Sequence, residues 1–449
     1  MKAITTILDR IREQSTAIAL YWSAEKISYE IFQKNISDWD AVLKIHLIGH
    51  GTVCAILGDY SPGTASLFFA LMKVKAVLVP FTYAIENEIS AYIEIACVEV
   101  LFRFDASDNW TIENIPVTVK NQLLENFHKK EEPGLIVFSS GSTGKPKGIL
   151  QNCEKVMNKF VEKHDGWNTI LFLMMDHFGG FNTLLSTFAY GGTAVCLPDR
   201  NPDTVCQIIQ DSKADLLPAT PTFLNLLITS RTYMHYDLTS VKLITYGTEV
   251  MLPTTLQKVK EIFPNAKIKQ TYGLSELGVL RSKSESDDSV WVKIGGKGFE
   301  TKIIDGILYV RSEANMVGYM NAPSPIDEKG WMCTGDHVEL KGEYMRILGR
   351  KSELINVGGQ KIFPAEVESI LLEAPNIMEA SVVGKPHSIM GNVVVAYVAL
   401  KDEEGAQELT ERLRKHCLDR IPKFKIPVKF IITPIEELRS ERYKKNHRI

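Results

Sequence analysis

Short apolar, β-branched runs alternate with segments of helical spacing along the first part of this chain, and no other feature limits its fold as tightly. Residues 52–57, 76–80, 135–138, 169–173, 193–197, 216–219, 243–246 and 268–270 read as strands. Residues 64–73, 204–212 and 253–262 read as helices between them. Such alternation predicts a layered α/β domain. Beyond Lys293 the pattern changes. Residues 302–304, 307–311, 337–340 and 343–348 are short strands separated by Gly- and Asp-containing turns, which predicts a small antiparallel β unit. After Arg350 a compact α+β portion follows, with helices at 364–373 and 409–420 and strands at 379–384 and 393–400. The expected division is a large N-terminal α/β domain, residues 1–349, and a small C-terminal domain, residues 350–449.

Composition removes several function classes. With 449 residues, 45% of them hydrophobic and 23% charged, the chain is an ordinary globular protein able to fold without disulfides. A net charge of −3 argues against a nucleic-acid binder. The seven cysteines include no C-x-x-C pair, so neither a disulfide framework nor a zinc site is expected. No run of about 20 apolar residues predicts a membrane span. The first residues lack an apolar signal core, so the cytoplasm is the expected location. Charge is uneven near the end, where Arg439, Arg442, Lys444, Lys445 and Arg448 face a single Glu441.

The sharpest local signal is residues 137–150, VFSSGSTGKPKGIL. A strand enters a loop containing Ser139, Ser140, Gly141, Ser142, Thr143, Gly144, Lys145 and Lys147. Glycines let the backbone turn tightly, while N–H groups, hydroxyls and lysines suit phosphate oxygens. It is not a Walker A loop, because Pro146 follows Gly144-Lys145 where Ser or Thr is required.

This string resembles the phosphate loop of the adenylate-forming superfamily, which includes acyl-CoA synthetases, aryl-acid ligases, stand-alone adenylation domains and firefly luciferase. Four further segments resemble that family's motifs in order. They are Tyr246-Gly247-Thr248-Glu249, then QTYGLSELG at 270–278, WMCTGD at 331–336, and GRKSELINVGGQKIFPAEVE at 349–368. The resemblance implies ATP-dependent activation of a carboxylic acid as an acyl-adenylate, followed by transfer to coenzyme A or to the phosphopantetheine of an acyl carrier protein. It also implies a mobile C-terminal domain, with a hinge at Ser352.

Roles follow by resemblance. Residues 139–147 would hold the β- and γ-phosphates. Tyr272 and Gly273 would lie against the adenine, with Gly247, Thr248 and Glu249 on its other side. Ser275 would bond a phosphate oxygen, and Glu276 would hold Mg²⁺. Asp336 would accept both ribose hydroxyls, and Arg350 would add a second ribose contact. Gly358 and Gly359 would border the pantetheine tunnel. The family's late lysine, which bridges the substrate carboxylate and the α-phosphate, falls on Lys445 when the tail is aligned without gaps, with Lys444 and Arg442 as rivals. His177 matches the family's gate to the acyl pocket, which residues 174–192 would line. Phe178, Phe181, Phe223 and Leu277 would wall that pocket. Asp176 is one residue from the gate, so the acid is expected to lack an α-amino group. The alternatives are an amino-acid adenylation enzyme, a luciferase-like oxygenase, and a non-catalytic carrier-docking protein that has kept the fold.

Overall fold

The computed structural model describes residues 2–117, 119–140, 145–388, 390–440 and 444–446. Among these residues two seven-stranded sheets form the bulk of the N-terminal part. The first has at its centre the parallel strands Val53–Leu57, Val77–Phe81 and Val100–Phe104. Every residue of Val53–Leu57 and Val77–Phe81 is buried, so these strands read in sequence as unbroken apolar runs. Gly134–Ser140 continues this sheet in parallel, and Pro146–Asn152 turns back antiparallel beside it.

The second sheet sets Lys267–Gln270, Leu243–Tyr246, Leu216–Ala219, Asn168–Ile170 and Thr193–Val195 in parallel order. The next strand in it, Ile18–Trp22, comes from the start of the chain and pairs Leu20 with Ala194. Thr193 Oγ1 donates to Ile18 O at 2.8 Å across 175 residues of sequence. Two apolar helices fill the space between the sheets. Pro62–Lys73 begins at a capping box in which Ser61 Oγ accepts from Thr64 N and Thr64 Oγ1 accepts from Ser61 N. Phe178–Ala189 lies against it, with Phe68 and Phe181 edge to face at 5.7 Å. Both helices are apolar on most sides because both are enclosed.

A six-stranded antiparallel sheet follows, from Ser282–Ser284 to Tyr344–Arg350. The chain leaves it at Arg350, makes a short turn at Lys351–Glu353, and enters a separate five-stranded sheet. Helices Pro364–Leu372 and Ala406–Leu418 cover that sheet through Val367, Leu371, Leu409 and Leu413. The layered α/β part, the antiparallel unit and the small α+β part all match the sequence expectation. The N-terminal strand contributed to the second sheet was not foreseen.

Candidate active site

Strand ends from three sheets meet at one face. Leu243–Tyr246 runs into Gly247, where an added Cβ would stand 2.6 Å from Thr271 Oγ1 and 2.8 Å from Thr271 O. Only glycine fits there. Thr248 takes φ +72°, a left-handed conformation that is costly for a β-branched residue. Strand Lys267–Gln270 leads to Tyr272, which is buried and donates from its hydroxyl to Asp336 Oδ2 at 2.5 Å. Gly273 follows, and a Cβ on it would meet Gly278 O at 2.7 Å. Asp336 and Arg350 are register partners on neighbouring antiparallel strands, with Arg350 Nε 3.4 Å from Asp336 Oδ1. Burial raises the Asp336 carboxyl above its ordinary pKa, and Arg350 and Tyr272 oppose that shift. An aromatic ring, a carboxylate and a guanidinium far apart in sequence are thus brought together.

On the phosphate side, Ser139 pairs with Lys147 and Ser140 with Pro146 across the hairpin. Gly141, Ser142, Thr143 and Gly144 lie outside the described residues. Lys147 Nζ stands 5.3 Å from the Tyr319 ring centre, and Tyr319 donates to Glu276 Oε1 at 2.7 Å. Tyr319 therefore ties the lysine of the loop to the expected metal carboxylate. Sequence reading missed it, since its two-residue strand Gly318–Tyr319 carries no local pattern. Gln151 Nε2 donates to Ser275 O at 2.5 Å and fixes the backbone just before Glu276. Among the described residues no group of three or more His, Cys, Asp or Glu could hold a metal ion. Glu276 beside Lys147 suits a different arrangement, in which Mg²⁺ takes most of its ligands from phosphate and water.

A narrow cavity is lined by Phe172, Leu173, Met174, His177, Arg200, Thr220, Thr248 and Lys444. His177 immediately precedes helix Phe178–Ala189, and Lys444 Nζ lies 2.8 Å from His177 Nε2. The expected cation, Lys445, is elsewhere. Its ammonium donates to Glu368 Oε2 at 2.9 Å and stands 3.6 Å from Glu379 Oε1, inside the C-terminal domain. Burial disfavours its charged form, but Glu368 and Glu379 outweigh burial and hold its pKa above the usual lysine value. Of the two candidate lysines, the structure thus sets Lys444 at the cavity and Lys445 among the carboxylates of the C-terminal domain. Arg439 and Lys445 form an antiparallel bridge, and successive side chains of an extended segment point to opposite sides. A one-residue register difference therefore exchanges the inward lysine for the outward one. Arg442 and Arg448 lie outside the described residues.

The contacts of the other expected residues are as follows. Glu249 is half-buried and turns toward the tail, accepting from Lys445 N at 2.5 Å and from Thr222 Oγ1 at 2.9 Å. Burial raises its pKa, with those hydrogen bonds opposing. Asp176 is buried and accepts from Thr82 Oγ1 at 3.1 Å, so the polar residue next to the gate serves packing between the sheets. Phe178, Phe181, Phe223 and Leu277 are core residues and do not line this cavity. Arg200 does line it, and sequence reading missed it. Its guanidinium is buried and bidentate on Asp59, at 2.5 and 2.8 Å, with Nε donating to Phe172 O at 2.7 Å. Gly358 and Gly359, at φ +57° and +86°, form the two-residue turn between Ile355–Val357 and Gln360–Ile362. The structure does not bring that turn into the cavity.

The fold and this gathering of residues define an adenylate-forming protein. More particularly, the chain belongs to the AMP-binding enzyme family, which matches residues 8–320, while the AMP-binding enzyme C-terminal domain matches residues 366–445. It is 29% identical over 341 residues to 4-coumarate–CoA ligase 4 of Arabidopsis thaliana, covering 68% of this chain and 59% of that protein. It is 28% identical over 335 residues to 2-succinylbenzoate–CoA ligase of Bacillus subtilis, covering 69% and 67%. The chain thus spans about three-fifths to two-thirds of these relatives' own length. Its fold is similar to that of an anthranilate CoA ligase solved with anthranoyl-AMP, with a TM-score of 0.83 at 18% identity, covering 99% and 95% of the two chains.

Proposed function

We propose that this chain joins a carboxylic acid to ATP, releasing pyrophosphate, and then passes the acyl group to the thiol of coenzyme A, releasing AMP. The observation that carries the reading is the Lys444 ammonium beside His177, in a cavity that Thr248 also lines. A cation from the small domain is thereby held where a carboxylate and an α-phosphate would meet. In the first step a carboxylate oxygen forms a bond to the α-phosphorus, and the bond to pyrophosphate breaks. Lys444 lowers the repulsion between the two anions and orients them. Tyr272, Gly247 and Thr248 hold the adenine, and Asp336 with Arg350 holds the ribose. Ser139, Ser140 and Lys147 hold the phosphates. Glu276 would hold Mg²⁺, which, when bound, neutralises phosphate charge. That these relatives are CoA ligases supports coenzyme A over a carrier protein as acceptor. No described helix is long and apolar enough to cross a membrane. Cytoplasmic action, where ATP and coenzyme A are both supplied, is part of this proposal.

Acid-dependent ATP–pyrophosphate exchange over a panel of aryl, short-, medium- and long-chain acids tests the reading. Lys444→Ala should reduce exchange about 10²–10³-fold, the usual effect of removing one positioned charge-stabilising group. It should spare thioester formation from a supplied adenylate. Exchange that survives in Lys444→Ala would refute the assignment, and no exchange with any acid would refute the function.

A further inference from the structure

Lys444 belongs to the small domain and meets His177 only while that domain sits against the N-terminal part. Helix Pro221–Ser230 carries the seat. Its N-cap, Thr220, lines the cavity, and Thr220 Oγ1 accepts from Phe223 N at 3.1 Å. Farther along the helix, half-buried Asn225 turns its side-chain amide onto the small domain. Asn225 Nδ2 donates to Met378 O at 3.0 Å and to Glu379 Oε2 at 3.2 Å. The helix itself gains nothing from an asparagine there, since that residue favours caps and turns over helix interiors. Thr222, three residues earlier on the same flank, donates from its hydroxyl to Glu249 Oε2 at 2.9 Å. Glu249 Oε1 in turn accepts from Lys445 N at 2.5 Å.

These contacts close a ring through both domains. From the helix it passes by Asn225 to Glu379, then to the Lys445 ammonium 3.6 Å away. It returns by the Lys445 backbone N–H to Glu249 and Thr222. Lys445 is thereby fixed at both ends, and its neighbour Lys444 is directed to the other side of the segment, toward His177. The ring is also built to open. Glu368, Glu379 and Lys445 all belong to the small domain, where the two buried carboxylates share one ammonium. When that domain turns away, the carboxylates keep their cation. Glu249 keeps the hydroxyl of Thr222 and its N–H, the latter at 3.2 Å. Opening therefore strands no buried charge, which would be the costly outcome. It breaks the hydrogen bonds of Asn225 and the one from Lys445 N.

We propose that Asn225 is a positioning residue for the first half-reaction. It latches the small domain in the pose that sets Lys444 in the cavity, and its release gates transfer to the thiol. The inference rests on the adenylation reading and deepens it, since it names the contact that decides how long the protein stays in that pose.

The test measures two half-reactions on each variant: ATP–pyrophosphate exchange with the acid that exchanges fastest, and thioester formation from the supplied adenylate of that acid. Losing a hydrogen bond to a charged group shifts an equilibrium about 10–100-fold. Asn225→Ala should lower the kcat of exchange by about that factor, with little change in the KM for ATP. Asn225→Asp, of the same shape, should lower it further, because a third carboxylate then faces the single Lys445 ammonium. Both variants should make thioester at least as fast as the wild type, which also certifies that they fold. Asn225→Asp/Glu379→Gln exchanges donor and acceptor and restores two carboxylates to one ammonium, so it should recover exchange relative to Asn225→Asp. Exchange at the wild-type level in both single variants would overturn the proposal. So would an equal fall in both half-reactions, which would make Asn225 a strut, or a double variant no better than Asn225→Asp. A wild type that exchanges with no acid would overturn the adenylation reading itself, and this inference with it.

Discussion

Lys445→Met tests the proposed division of labour, in which Lys445 is structural and Lys444 chemical. Lys445 lies between Glu368 and Glu379, with side-chain exposures of 15%, 3% and 4%. Both carboxylates also take backbone donors, Val382 N on Glu368 and Ala380 N on Glu379, and Asn225 reaches Glu379 from the N-terminal part. Methionine keeps the length of the side chain and removes its charge, leaving two buried carboxylates facing each other. Breaking a buried ion pair on one side costs about 3–5 kcal/mol. Each kcal/mol moves the melting temperature by about 2–4 °C for a unit of about 150–250 residues and by more for a smaller one, so the expected drop is at least about 6–20 °C. Undocking of the tail alone would limit the loss, and it would then appear as faster amide hydrogen exchange at residues 444–446. Because the Lys445 pKa is held above its ordinary 10.5, the stabilisation is fully present below that value and is lost only as pH rises through the raised one. Calorimetry at neutral pH therefore reads all of it. The double variant Lys445→Met/Glu368→Gln removes one of the stranded charges and should recover a large part of the loss. The reasoning is refuted if Lys445→Met neither lowers the melting temperature nor loosens the tail, or if the double variant is no better than the single.

Two further expectations concern the nucleotide side. Burial raises the Asp336 pKa above 3.8, so folding favours its protonated form. Stability from this group should fall as pH rises from 3.8 through the raised value, while ATP affinity, which needs the carboxylate, should rise over the same window. Calorimetry and nucleotide titration across that range should show the opposite slopes, and Asp336→Asn should flatten both. Gly247→Ala places a Cβ 2.8 Å from Thr271 O, so the proposed adenine wall must shift. The KM for ATP should rise about tenfold or more with a smaller change in kcat, and an unchanged KM would exclude Gly247 from the nucleotide wall.

The readable parts of the fold are those whose pattern is local. Leu216–Ala219, Leu243–Tyr246 and helix Pro253–Ile262 match the expected spans, because apolar runs and a Pro at the helix start mark their bounds. Ile18–Trp22 was equally apolar, but its role depends on a partner in a distant segment, and no local periodicity encodes that. The site divides in the same way. Tyr272, Asp336 and Arg350 were legible because each stands within a recognisable string, and the sheet register then joins them. Tyr319 and Arg200 were not legible, since each acts through a contact made only on folding. The choice between Lys445 and its rival Lys444 was not legible, because the tail departs from its family pattern where a one-residue difference reverses the direction of every side chain.

The pairing of Ile18–Trp22 with Thr193–Val195 also has a consequence for synthesis. The N-terminal strand leaves the ribosome first, while its partner follows some 175 residues later. At about 5–20 residues per second the wait is roughly 9–35 s. During that interval IALYW, an uncharged stretch of high β-propensity, has no native neighbour on one side. The amphipathic helix Lys2–Glu13 before it and the hairpin strand Glu25–Ser28 after it are available at once. Nascent-chain protection of this segment, by those neighbours or by a chaperone, would govern the yield of soluble protein more than the strength of the finished sheet.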